Sequence, residues 1–177
     1  DDRMAENTLG KESTRRALVQ LLAHEYVHSW NGKYRRPAGL AVSNYDRPMQ
    51  SELLWVYEGL TQYLGKLLAT RSGSWTPEFY RESLALTASN LTGQVGRTWR
   101  PLADTAVEAQ ILYGSPDAWS SYRRGTDFYE EGVLVWLDAD ITIRKLTGGA
   151  KSLNDFTRSF YGGASGDPQA LKPYTFD

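Results

Sequence analysis

The sequence predicts an all-α fold, and three observations predict it. Apolar residues recur at helical spacing through long windows such as STRRALVQLLAHEYVHSWNG and TDFYEEGVLVWLDADITIRKLTGG. Capping and stop residues bracket most of those windows. No segment alternates apolar and polar residues well enough to read as a strand, and no strand–helix alternation signals a parallel sheet.

The first window carries Ser13 or Thr14 as a start cap and Asn31-Gly32 as its stop. Ala17, Leu21, His24 and His28 fall on one stripe of this helix. KYRRPAGLAVSNYDRPM, with its Pro, Gly, Asn and Asp, reads as loop. A second helix is expected from about Ser51 to Arg71, with Gly73 as its C-terminal breaker. Thr76 is placed to cap a third, TPEFYRESLALTASNL, with Pro77 as the first helical residue. PLADTAVEAQILYG is a shorter helical candidate. In the window after Thr126, the β-branched runs VLVW and ITI imitate strands. Val133, Trp136, Leu137, Asp140 and Ile141 nevertheless keep helical spacing, and paired glycines end the window. SLNDFTRSFYGG is the last helix, opened by Ser152 with Asp155 three residues on.

The chain's 177 residues suffice for one domain with a core of its own. Aromatics make up 12%, and six Trp point to a filled interior or a lined cleft. A net charge of -1 removes the broad electrostatic case for nucleic acid or an anionic membrane as partner. Arg35-Arg36 and Arg123-Arg124 read as solvated surface. The absence of cysteine excludes a disulfide framework and any thiolate metal site. It leaves the compartment open, bacterial periplasm and cytoplasm alike. No window is long and apolar enough to span a bilayer. The opening DDRMAENTLG has neither an initiator methionine nor a signal-peptide pattern, so the chain is expected to be a piece of a longer polypeptide.

Both histidines of the chain lie in LLAHEYVHSWNGKYRRP, in the pattern H-E-x-x-H. On a helix, residues i and i+4 project from one face a turn apart, so His24 and His28 can share one tetrahedral Zn²⁺. Glu25, three residues before His28, stays on the same side. It is placed to take a proton from water that the metal polarises and to return it to a leaving amine. The motif alone does not separate a zinc site from two helix-face histidines flanking a glutamate. Two features favour zinc. Leu18, Leu21, Leu22 and Val27 surround the motif, and polar groups are costly to bury there without a partner. A catalytic zinc also needs a third protein ligand and an open position. Glu58, thirty residues after His28 and among Leu54, Trp55, Leu60 and Leu64, supplies that ligand unless it is only an exposed helix charge.

HEYVHSWNGKYRRP followed by LLWVYEGLTQYLGKLLATRSG resembles the glycyl aminopeptidase family of gluzincin zinc metallopeptidases. The likeness rests on Trp30, Asn31, Lys33, Arg36 and Pro37 after the motif, and on Trp55, Glu58, Gly59, Thr61 and Tyr63 in the second helix. DFYEEGVLVWLDADITIRKLTGGAKSLNDF is similar to the family's later helix pair, so the resemblance runs from about Ser13 to Phe160.

The resemblance implies the helical half of a thermolysin-like metallopeptidase catalytic domain. Residues 1–177 would be one helical catalytic fragment, from which a preceding β-rich part and a following PDZ domain are missing. It implies a peptide substrate, Zn²⁺ held by His24, His28 and Glu58, and Glu25 as general base. FYEEG resembles the tyrosine-bearing segment of related gluzincin aminopeptidases, which makes Tyr129 the hydrogen-bond donor to the tetrahedral oxyanion; a register slip would move that role to Tyr122. Asn31 and Thr61 are candidates to orient the imidazoles, while Trp30 and Trp55 read as core. The expected activity is zinc-dependent peptide-bond hydrolysis, as an aminopeptidase. The competing readings are a helical module without metal or activity as isolated, and a helical bundle in which the two histidines are ordinary helix-face residues.

Overall fold

The computed structural model describes residues 11–112, 118–162 and 171–176. Its elements in chain order are α1 (Glu12–Val27), β1 (Arg35–Pro37), a 3-10 turn (Ala38–Leu40), α2 (Leu54–Arg71), α3 (Pro77–Thr92) and a second 3-10 turn (Val95–Thr98). There follow α4 (Leu102–Val107), α5 (Ala109–Leu112), α6 (Ser120–Arg123), α7 (Asp127–Leu146), α8 (Leu153–Tyr161) and β2 (Lys172–Tyr174). The fold is mostly helical, as the periodicity predicts. Among the described residues, no helix is long and apolar enough to cross a membrane.

Helix α2 lies at the centre, with α1 and α7 packed against it. The core joins Val27 of α1, Leu60, Tyr63 and Leu64 of α2, Val133 of α7 and Leu153 of α8. Glycines set the closeness of these crossings. A Cβ on Gly59 would stand 2.9 Å from both the Gly132 Cα and the Phe128 carbonyl oxygen. A Cβ on Gly65 would stand 3.1 Å from the His24 Cα. The two crossings therefore fall beside Glu58 and at His24.

The local signals act largely as read. Thr76 Oγ1 accepts from the Phe79 N–H, with Pro77 in the first turn of α3. Ser152 and Asp155 form the expected capping box on α8. Gly73 ends α2 with φ +78. α7 is one continuous helix through VLVW and ITI, although Ile141 at its expected inner face is exposed. Tyr113 and Gly114, the expected end of the short helix, lie outside the described residues, as does Gly163.

Other expectations need correction. Helix α1 is preceded by Lys11, not capped by Ser13 or Thr14, and it stops at Val27 rather than at Asn31-Gly32. Its buried residues are His24 and Val27, while Ala17, Leu18, Leu21 and Leu22 are exposed, Leu22 by 61%. Burial on this helix is thus confined to its C-terminal end, where α2 packs against it, and the apolar residues further towards the N-terminus stay exposed or half-buried. KYRRP is not all loop: Arg35–Pro37 pairs in parallel with Lys172–Tyr174. Three residues are too few to show a period of two, and the partner lies far along the chain. Trp30 is exposed and packs edge-on against Tyr26. Trp55 is half-buried and stacks on Trp136.

Arg124 is the largest departure from the solvated-surface reading, being 2% exposed. Its guanidinium donates to Asp127 Oδ2 (2.9 Å), to the Arg100 carbonyl (2.7 Å) and to Glu131 Oε2. The backbone at Arg124 is left-handed, φ +67, a strained conformation for a residue with a Cβ. That buried ion-pair network fixes the first turn of α7, which carries Tyr129 and Glu130.

Candidate metal centre

His24 leaves the inner face of α1 one turn before the helix ends, and its side chain is nearly buried. His28 is the C-cap residue, and the chain turns immediately after it. Because the helix stops there, the Asn31 carbonyl comes round to within 3.0 Å of His28 Nδ1. Asn31 is itself completely buried. Its amide nitrogen donates to the Tyr57 carbonyl (2.9 Å) and to Thr61 Oγ1 (3.2 Å), and its Oδ1 accepts from the Tyr174 hydroxyl (2.9 Å). Of the two residues proposed to orient the imidazoles, Asn31 acts through its backbone carbonyl. Thr61 reaches neither imidazole; its hydroxyl donates back to the Tyr57 carbonyl (2.6 Å) and receives the Asn31 amide.

Glu58 projects from the first turns of α2 towards both imidazoles. It is not an exposed helix charge, its side chain being 12% exposed. Its Oε2 lies 3.2 Å from His24 Nε2 and 3.4 Å from His28 Nε2, and the two Nε2 atoms are 3.1 Å apart. Sequence positions 24, 28 and 58 thus meet at one point.

The protons settle what these contacts are. His28 Nδ1 faces a backbone carbonyl, which only accepts, so the hydrogen is on Nδ1. His24 Nδ1 faces Gln62 Oε1 at 2.9 Å. The Gln62 amide is oriented by its other contacts, since its nitrogen donates to Glu130 Oε1 (2.8 Å) and its oxygen accepts from Gln20 Nε2 (2.8 Å). With the hydrogen on Nδ1, each imidazole in its neutral form turns an Nε2 lone pair inward, towards a carboxylate oxygen. Glu58 Oε2 is buried without a hydrogen-bond donor. Three converging lone pairs repel unless positive charge sits among them, as a metal ion or as a proton on an imidazole. Ligand atoms about 2.0–2.1 Å from a tetrahedral zinc ion stand about 3.3 Å from one another, which the three separations match. The donor set, two imidazoles and one carboxylate, suits a divalent metal of the zinc type.

The electrostatics point the same way. Burial pushes the His28 imidazole down, but Glu58, the Asn31 carbonyl and Glu25 outweigh it, and the net shift is upward. Burial pushes the Glu58 carboxyl up, but the two imidazoles outweigh it, and the net shift is downward. The cluster attracts positive charge. Glu25 is exposed on α1 beside it, within electrostatic reach of His28 and Tyr57. The Tyr57 ring stacks on His28 at 4.7 Å. The Tyr129 ring lies 6.1 Å from the His24 ring. Tyr122 is exposed and packs against Trp99, so of the two tyrosines weighed for the oxyanion role only Tyr129 stands at the cluster.

The family model described as M61 glycyl aminopeptidase matches residues 17–135, more than half of the chain. The chain belongs to this family. It is a metallopeptidase family, and the matched span carries the three converging side chains. The fold is also that of a solved structure, an aminopeptidase N family protein from Idiomarina loihiensis, with a TM-score of 0.76 and 23% identity. That alignment covers 84% of this chain and 25% of the other, so the chain spans a quarter of its solved neighbour. No curated protein matches the chain.

The sequence reading missed Gln62, Gln20, Glu130, Lys66 and Thr87. Gln62 follows Glu58 by four residues and so shares its face of α2, a spacing visible in the sequence. Glu130 follows Tyr129 directly, but its partners on α2 and α3 are visible only in the fold.

Proposed function

We propose that this chain carries the zinc-binding and catalytic helices of a peptidase that hydrolyses peptide bonds, acting as an aminopeptidase. The observation that carries the reading is the convergence of His24 Nε2, His28 Nε2 and Glu58 Oε2, with both Nδ1 atoms already committed elsewhere. Membership of the glycyl aminopeptidase family supports it. His24, His28 and Glu58 hold the zinc ion. When bound, the ion supplies Lewis acidity and makes water acidic enough to lose a proton near neutral pH.

Glu25, one residue after His24 and one turn before His28, takes that proton on its carboxylate and passes it to the nitrogen of the leaving amine. The Tyr129 hydroxyl donates a hydrogen bond to the scissile carbonyl oxygen as negative charge develops there. Tyr57, stacked on His28, walls the site on the side of α2. The polypeptide also contains, on this reading, a β-rich part before these helices and a PDZ domain after them. The substrate's free amine would be bound outside the helices described.

Metal analysis of the purified polypeptide by inductively coupled plasma mass spectrometry tests the site. About one zinc per chain is expected, and no uptake after reconstitution would end the proposal. Paired peptides with free and acetylated N-termini test the exopeptidase part. Cleavage of the free peptide alone is expected, and equal cleavage of both would make the enzyme an endopeptidase.

A further inference from the structure

Glu130 sits on α7, away from the three converging ligands, yet it is joined to one of them by a single side chain. Gln62 accepts from His24 Nδ1 at 2.9 Å and donates to Glu130 Oε1 at 2.8 Å. The other carboxylate oxygen accepts from Thr87 Oγ1 of α3 at 2.9 Å and lies 3.4 Å from the Lys66 ammonium. Lys66 is buried on α2, a position a lysine occupies only with a partner for its charge. Burial pushes the Glu130 carboxyl up, but Lys66, Gln62 and Thr87 outweigh it, and the net shift is downward.

We propose that Gln62 and Glu130 form a positioning relay, an amide interposed between a carboxylate and the His24 imidazole, which fixes the His24 tautomer and strengthens its Nε2 as a metal ligand. This rests on the zinc reading above. A metal-bound histidine gains orientation and basicity when its other nitrogen donates to a carboxylate. Here the carboxylate does not reach the ring, and the amide carries its effect across the gap. Glu130 pulls on the Gln62 N–H, which leaves more negative charge on Oε1, and Oε1 then accepts more strongly from Nδ1–H. Glu130 also fixes which end of the amide faces His24, since an ionised carboxylate only accepts. A reversed amide would present a donor to Nδ1, force the proton onto Nε2 and cancel the ligand. The second histidine has no such relay, because His28 leans on the rigid backbone carbonyl of Asn31.

The test uses the complete polypeptide, stripped of metal. Zinc affinity is measured by competition with a chromophoric chelator, and the visible absorption of the cobalt(II) form is recorded for wild type, Gln62→Met, Glu130→Gln and the double variant. Gln62→Met is expected to weaken zinc binding by about 10- to 100-fold. Glu130→Gln should weaken it by less, and both should shift the cobalt bands. The double variant should bind no more weakly than Gln62→Met, because Glu130 acts through Gln62. A purely structural contribution would add in the double variant and leave the cobalt bands in place, which would overturn the relay. Unchanged affinity and spectrum in Glu130→Gln would overturn it as well. That variant keeps the Gln62 side chain in place and decides the matter even if Gln62→Met fails to fold. Absence of metal uptake by the wild type would instead remove the zinc reading itself, and the relay with it.

Discussion

Gly132 and Gly59 bring α7 and α2 into backbone contact one residue from Glu58: a Cβ on Gly132 would stand 2.6 Å from the Gly59 Cα. No side chain fits in that gap, so Gly132→Ala must push the helices apart. Overpacking of this kind costs about 1–3 kcal/mol. Chemical denaturation should show a loss in that range. Because α7 also carries Tyr129 and Glu130, the variant should bind zinc more weakly than wild type. A loss of stability with unchanged zinc affinity would mean that the crossing does not set the site.

Glu25 is exposed while its neighbours His24 and His28 turn inward, which suits a group that meets water rather than metal. Glu25→Gln keeps the shape of the side chain and removes its basicity. Metal content should stay at about one zinc per chain, and kcat should fall by about 10²–10⁴-fold, the usual contribution of a positioned base. Retained turnover would take the proton-transfer role away from Glu25.

Glu58 is the one carboxylate among the three converging side chains. Glu58→Ala leaves two imidazole nitrogens 3.1 Å apart with no anion between them and the solvent. Zinc affinity measured by chelator competition should drop steeply, and unchanged affinity would place the third ligand elsewhere.

These three residues show how far the sequence can be read. H-E-x-x-H is a local pattern, and helical periodicity turns it directly into a shared face, so the meeting of His24 and His28 is legible in it, while the motif alone leaves open whether they hold a metal. Glu58 was legible because a glutamate inside an apolar window needs a partner. The Ser152–Asp155 capping box was legible because its spacing is its mechanism. The cap and stop of α1 failed locally, since Lys11 precedes the helix and it ends at Val27, but most of the other failures were non-local. Leu18, Leu21 and Leu22 read as an apolar setting for the motif, yet all three are exposed, and burial on α1 is confined to His24 and Val27. Arg124 was read as surface because arginines usually are; its carboxylate partners and the Arg100 carbonyl gather round it only when α7 is in place. The strand at Arg35 pairs with residues near the far end of the chain, which no window can contain. Glu130 belongs to the same class, since nothing in FYEEG marks which glutamate faces inward.

Tyr129 is one of eleven tyrosines, and its place beside His24 is what marks it. Tyr129→Phe keeps the ring and removes the donor. If the hydroxyl stabilises the oxyanion, kcat should fall by about 10²–10³-fold while zinc affinity and KM change little. Tyr122→Phe is the matched control, since that ring lies exposed against Trp99 and should leave turnover as it is. An effect of Tyr129→Phe confined to metal loading would make the residue a support for His24 instead.

Glu130 also gives the fold a dependence on pH. Its carboxyl is held below the ordinary value of 4.5, with Lys66 the largest of the groups that lower it. A carboxyl whose folded value lies below its unfolded value contributes stability that is fully present above the unfolded value and is lost as the pH falls through the folded one. Acidification below 4.5 should therefore lower the denaturation midpoint of the metal-free protein in part through this group. In Glu130→Gln that part of the slope should vanish, while the remaining acid sensitivity, from other paired carboxylates, persists. The side chain is 40% exposed, so solvent screens the pair and the lost slope should be a small share of the total. The comparison is a set of denaturation curves for both proteins between neutral pH and pH values below 4.5. Parallel curves would show that Lys66 and Glu130 are neighbours without being an energetic pair.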